Sequence, residues 1–145
     1  MSSISSDPNF PQPARLITSL RGEHRLQLRV AGGFWARFRG LMLAPALRAQ
    51  PQPQGLLLRR CTSVHGCFMR HAVDVVYVSE ADESGAHRVT HTARLKPWRI
   101  SIARSRLPAG PGRRQPLRCK HALELPAGSI QALGIARGDQ LRLHP

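Results

Sequence analysis

Between Gly55 and Val78 the chain reads GLLLRRCTSVHGCFMRHAVDVVYV. This stretch sets an imidazole (His65), three sulfur side chains (Cys61, Cys67, Met69), a hydroxyl (Ser63) and one acid (Asp74) between two apolar runs. Polar groups in strand-forming sequence must find partners on folding or be desolvated at a cost, so the block is either a polar knot or a site. If Cys61 to His71 formed one extended strand, period two would align Cys61, Ser63, His65, Cys67, Met69 and His71 on one face, a donor set that suits zinc or copper(I). Same-side strand neighbours stand about 7 Å apart, however, too far to share one ion, and neither CxxC nor HExxH spacing is present. No metal and no cofactor is therefore assigned.

Two further chemistries fit the same residues. A nucleophilic reading takes Cys61, Cys67 or Ser63 as the attacking group, His65 as the base and Asp74 as its orienter; no GxSxG elbow accompanies it. A binding reading has Ser63, His65, Arg70 and Asp74 line a shallow polar cleft that holds a small polar or anionic ligand without chemistry. Set against both is a purely structural role, in which His65 and Asp74 satisfy backbone groups where strands cross while Phe68 and Met69 fill the core.

The elements that would position these groups are mostly strands. Ala14–Leu20 and His24–Val30 alternate apolar and polar residues about Arg21-Gly22-Glu23 and predict a hairpin. Phe34, Trp35, Phe38, Leu41 and Met42 recur at helical spacing, and Pro45, Pro51 and Pro53 end that helix. Leu56–Leu58, Val73–Val78 and His87–Leu95 read as strands, the last two joined through a turn at Glu80–Gly85. The tail HALELPAGSIQALGIARGDQLRLHP predicts a strand, a short helix docked through Ile130 and Leu133, a left-handed cap at Gly134, and a closing strand after Gly138-Asp139. The sum is a mainly-β fold of about six to nine strands with two short helices, near Phe34–Met42 and Gly128–Leu133.

Length and charge bound the rest. At 145 residues the chain is long enough to bury a core without disulfide or metal, and it reads as one domain (14–145) behind a disordered leader (1–13). The polar, proline-broken start has no apolar signal region and no run approaches the length of a membrane span, so the expected location is cytoplasmic, with reduced thiols. The formal charge of +14 comes from 22 basic against 8 acidic residues, only Lys96 and Lys120 being lysine. Such a field attracts polyanions weakly and in a salt-dependent way, although an arginine excess also follows from coding composition. Arg104, Arg106, Arg113, Arg114, Arg118 and Lys120 form a local concentration in a Pro/Gly-rich stretch that is expected to be a mobile loop and a candidate polyanion contact.

The stretches RFRGLM (Arg37–Met42), GLLLRRCTSVHGCFMRHAVDVVYV (Gly55–Val78), LKPWRIS (Leu95–Ser101) and HALELPAGSIQALGIARGDQLRL (His121–Leu143) occur in an order that resembles the DUF192 family. Gly40, Leu41, Met42, Ser63, His65, Met69 and Asp74 match its pattern, as do Leu125, Pro126, Ala127, Gly128, Gly138 and Asp139. The chain departs at Gly66-Cys67, where Thr and an aromatic are more usual, and at His71-Ala72, where an aromatic and Pro are common, so a role for Cys67 or His71 would be particular to this protein. The resemblance implies a compact β-sandwich or distorted barrel and no established activity. The preferred functional expectation is a non-catalytic binding or accessory module with a polar cleft around CTSVHGCFMRHAVD. The alternatives are a small hydrolase-like enzyme using His65 and Asp74 with a Cys or Ser nucleophile, and a polyanion- or nucleic-acid-binding protein. Oligomeric state is left open.

Overall fold

A computed structural model describes residues 11–31, 52–65, 70–103, 106–107 and 117–143. The N-terminal hairpin pairs β1 (Gln12–Thr18) with β2 (Gly22–Ala31), and Gly22 takes the left-handed φ of 78° that the turn requires. The strand thus begins two residues inside the segment expected as leader. β2 runs parallel to β3 (Gln54–Leu58), β3 pairs antiparallel with β9 (Leu117–Pro126), and β9 with β5 (Val73–Ser79). From β5 the ladder continues through β6 (Ala86–Leu95) to β10 (Gln140–Leu143) and back to β1, so seven strands close into a barrel.

Closure follows from the sequence pattern. Ala14, Leu16, Leu26, Leu28, Leu57, Val76, Val78, Val89, Leu123, Leu125 and Leu141 form one buried cluster, contributed by all seven strands. A barrel of this size has an interior that side chains fill. The short helix α1 (Ser129–Leu133) packs Ile130 and Leu133 against that cluster, and Gly134 caps it at φ 66°. Both features match the reading of the tail. The other expected helix, near Phe34–Met42, lies outside the described residues.

VDVVYV in β5 is apolar on both faces because both are covered. Val76 and Val78 point inward, whereas Val73, Val75 and Tyr77 join a second cluster outside the barrel wall with Leu56, Leu58, Leu95, Ala122 and Val64. A two-stranded sheet of β4 (Ser63–His65) and β7 (Ile100–Ile102) covers this outer cluster, held by the Ala103 amide donating to the Thr62 carbonyl at 2.8 Å. The described residues of Cys61–His71 do not form the single extended strand supposed for them, since Cys61, Thr62, Arg70 and His71 lie outside β4. Arg60 turns the chain at φ 53°, and the strand that follows spans only Ser63–His65 before Gly66–Met69 leave the described residues. The basic stretch is not loop throughout either: its ends are β8 (Arg106–Leu107) and the start of β9, paired with Arg106 opposite Arg118.

Candidate functional site

Asp74 lies on the inward row of β5, directly opposite Arg94 of β6 and Leu125 of β9. It is 1% exposed, and its two oxygens are both used: Oδ1 accepts from Arg94 Nε at 3.1 Å and Oδ2 from the backbone amide of Ile130 at 2.9 Å. The carboxylate therefore ties α1 to the barrel and fixes one edge of a guanidinium whose side chain is still 54% exposed. His65 belongs to the outer sheet, half-buried and in register with Ile100. Ser63 sits exposed opposite Ile102, and Arg70 lies exposed on the surface. Asp74 stands on the barrel wall, and Ser63 and His65 on the two-stranded sheet outside it.

What Asp74 does position is Arg94, and Arg94 lines a groove of about 560 Å³ between the end of β6 and β7. Lys96 and Arg99 line it as well, with Ser101, Ile100 and Ile102. The turn that makes this groove is the LKPWRIS segment, with Trp98 in left-handed conformation at φ 62° and the Arg99 amide donating to the Lys96 carbonyl at 3.2 Å. Ser101 is anchored beneath: its Oγ accepts from the Tyr77 hydroxyl at 2.8 Å. Burial pushes the Tyr77 phenol up to about 12, so it remains a donor, and its ring stacks on His91 at 5.9 Å. Lys96 and Arg99 are exposed on the rim of this groove and give it positive charge in contact with solvent, whereas the Arg94 guanidinium lies by Asp74 and Gly128 at the start of α1. The sequence signal for the groove is ARLKPWRIS, with three basic residues within six positions around a Pro-Trp turn, a weaker mark than the longer arginine run that follows.

Two other buried groups stand outside the residues singled out from the sequence. Glu124 lies between Leu56 and Val75 on the outer row of the wall, 2% exposed, and burial pushes its carboxyl up to about 7. Its Oε2 has no hydrogen-bond partner among the described residues. Its sequence signal is a lone acid between Leu123 and Leu125 in a strand buried on both faces. His121 accepts from the Arg60 amide through Nδ1 at 3.0 Å and meets His87 edge to face at 5.4 Å; burial, then the neighbouring His87, pushes it down to about 4.

The described thiols are poorly suited to attack. Cys119 is pushed up to about 11 by burial, Cys61 donates to the Ser63 carbonyl at 2.9 Å, and the two are not joined in a disulfide. Among the described residues no three His, Cys, Asp or Glu side chains are grouped to hold a metal. Of the basic run, Arg118 is exposed and Lys120 meets Glu80 at 3.9 Å, whereas Arg104, Arg113 and Arg114 lie outside the described residues. No helix among the described residues is long and apolar enough to cross a membrane.

The DUF192 family model, described as "Uncharacterized ACR", matches residues 16–143. The chain belongs to DUF192. A UPF0127 protein of Pyrococcus furiosus is 34% identical over 119 residues, covering 82% of this DUF192 chain and 88% of that protein. Two solved structures share the fold. One is a putative transcription regulator from Sinorhizobium meliloti (TM-score 0.68, 23% identity, 92% of this chain and 93% of that one). The other is a protein of unknown function from Novosphingobium aromaticivorans (TM-score 0.70, 17% identity, 97% and 91%). At these identities the likeness of the DUF192 chain to both is one of fold alone.

Proposed function

We propose that this DUF192 protein is a non-catalytic binding module that holds a small anion in the groove between β6 and β7. The observation that carries this reading is the pair of exposed cations, Lys96 and Arg99, on the rim of one groove, with the Arg94 position of β6 forming part of its wall. Lys96 and Arg99 supply mobile charge, and Ser101, which also lines the groove, adds a hydroxyl. Ser63 and His65 stand one strand away, opposite Ile102 and Ile100, where they can border a bound ligand. The hydrolytic alternative is less favoured because Asp74 belongs to the barrel wall and is bonded to Arg94 and Ile130, whereas His65 belongs to the outer sheet.

Titration of the full chain with inorganic phosphate, pyrophosphate and short dicarboxylates at fixed ionic strength tests the reading. Saturable binding is expected, and Lys96→Ser/Arg99→Ser should weaken it at least tenfold while leaving the strand-dominated circular dichroism unchanged. Equal affinity in the variant would move the anion elsewhere, and turnover of a phosphate or carboxylate ester that depends on His65 would restore the enzyme reading.

A further inference from the structure

β7 carries its pattern inside out. In a strand laid over a core the apolar residues ordinarily face inward and the polar ones outward. Here Ser101 faces the wall, accepting from buried Tyr77, while Ile100 is 70% and Ile102 49% exposed. Trp98, at the turn leading into this strand, is 64% exposed. Among the described residues these are three of the four exposed large hydrophobics, the fourth being Leu20, and they fall within five consecutive positions at the mouth of the groove that Arg94, Lys96 and Arg99 line. Scattered single apolar residues on a surface call for no explanation, but a cluster beside two exposed cations does.

We infer that the ligand of this groove is an amphipathic anion: a carboxylate or phosphate head held by Lys96 and Arg99, with an aliphatic tail laid over Ile100, Ile102 and Trp98. The inference rests on the anion-groove reading above and adds the apolar half of the ligand. An inorganic anion would use the cations and leave the inverted strand uncovered, whereas an alkyl chain beside the head group covers it. The groove volume of about 560 Å³ falls in the range of sites for single small molecules, which favours a free ligand over a bilayer surface.

The test is calorimetric titration of the full chain at fixed ionic strength with inorganic phosphate, acetate, hexanoate, octanoate and decanoate below their micelle concentrations. Octanol serves as the uncharged control, and phosphatidylglycerol vesicles as the bilayer control. Affinity is expected to rise about threefold per methylene between hexanoate and decanoate, somewhat under the gain for complete burial of a CH₂. Octanol should bind at least tenfold more weakly than octanoate. Ile100→Ser/Ile102→Ser should flatten the decanoate-to-acetate ratio, and the single Ile102→Thr should do so in part if the double variant fails to fold. Phosphate and all carboxylates binding alike, with no dependence on chain length, would overturn the inference and leave the anion groove standing. No binding by any free anion would remove the groove reading and the inference together. Binding to vesicles without binding to any monomer would make the patch a membrane contact and overturn the free-ligand assignment.

Discussion

Asp74 and Arg94 stand directly opposite each other across β5 and β6, and their 3.1 Å contact joins a carboxylate sealed from water to a guanidinium that is more than half exposed. The pairing is asymmetric. The buried partner has its second oxygen on the Ile130 amide and cannot move, so it dictates where the exposed partner points. A polar residue in the barrel wall thereby sets both the docking of α1 and the direction of the Arg94 guanidinium.

Asp74→Ala should cost about 2–4 kcal/mol in urea denaturation, because it strands the Ile130 amide and releases Arg94 from the carboxylate that holds it. Asp74→Asn should cost roughly half of that, since its carbonyl oxygen can still accept one of the two bonds. A cost well under 1 kcal/mol for the alanine variant would show that the ion pair contributes little net stability.

Gly55→Ala should destabilise by about 1–3 kcal/mol through overpacking. A Cβ at this position would come within 2.6 Å of Leu28 Cδ2, 2.9 Å of Leu125 Cδ2 and 3.0 Å of the Glu124 carbonyl oxygen. The two leucine methyls can rotate, but the carbonyl is part of the β9 backbone beside the strand that closes the barrel. Gly22→Ala is the contrast: nothing lies within 4 Å, and only the left-handed φ of 78° is penalised, at about 1 kcal/mol. Equal melting temperatures for Gly55→Ala and wild type would mean that β3 can shift away from β9.

Local features are legible in the sequence, and distant ones are not. The β1–β2 hairpin and the tail declare themselves through period-two alternation and through glycines at Gly22, Gly134 and Gly138, all of which take positive φ. Asp74 stands out as an acid in an apolar strand, but its partners lie 20 and 56 residues further on and are chosen by barrel register, which no local pattern encodes. His65 is near Asp74 in sequence but belongs to a different sheet, because the chain leaves the wall at Arg60 and re-enters at Val73. The groove cations are hidden because Arg and Lys at a turn look like ordinary solvated residues until β7 folds back beside β6. Glu124 is hidden because its outward row turns out to be covered by β4 and β7.

The basic stretch makes a separate expectation. Replacing Arg113, Arg114 and Arg118 by Ser should lower heparin retention, and the slope of log affinity against log salt should shrink by about 0.9 for each arginine that had been neutralising a phosphate-like group. Retention equal to wild type would mean that the charge of +14 acts from the whole surface and that this segment is no dedicated patch.

Glu124 and His121 should oppose each other in the dependence of stability on pH. Burial raises Glu124 from 4.5 to about 7, so the folded state holds a proton that the unfolded chain releases. Its contribution is fully present below about pH 4.5 and is lost as pH rises to about 7, a difference of about 3 kcal/mol for a group this deeply buried. His121 is lowered from 6.5 to about 4, so the unfolded chain takes up a proton that the folded state refuses, and its contribution is lost as pH falls through that window. Between about pH 4.5 and 6.5 the two slopes have opposite signs, and these two contributions should largely offset each other there. Glu124→Gln removes one side of the balance. The variant should be more stable than wild type above pH 7, where the wild-type carboxylate is charged in an apolar wall, and should lose stability steadily on acidification from about pH 6.5 towards 4. Urea unfolding of both proteins at unit steps of pH reads this directly; parallel curves for the two would mean that Glu124 reaches solvent when it ionises.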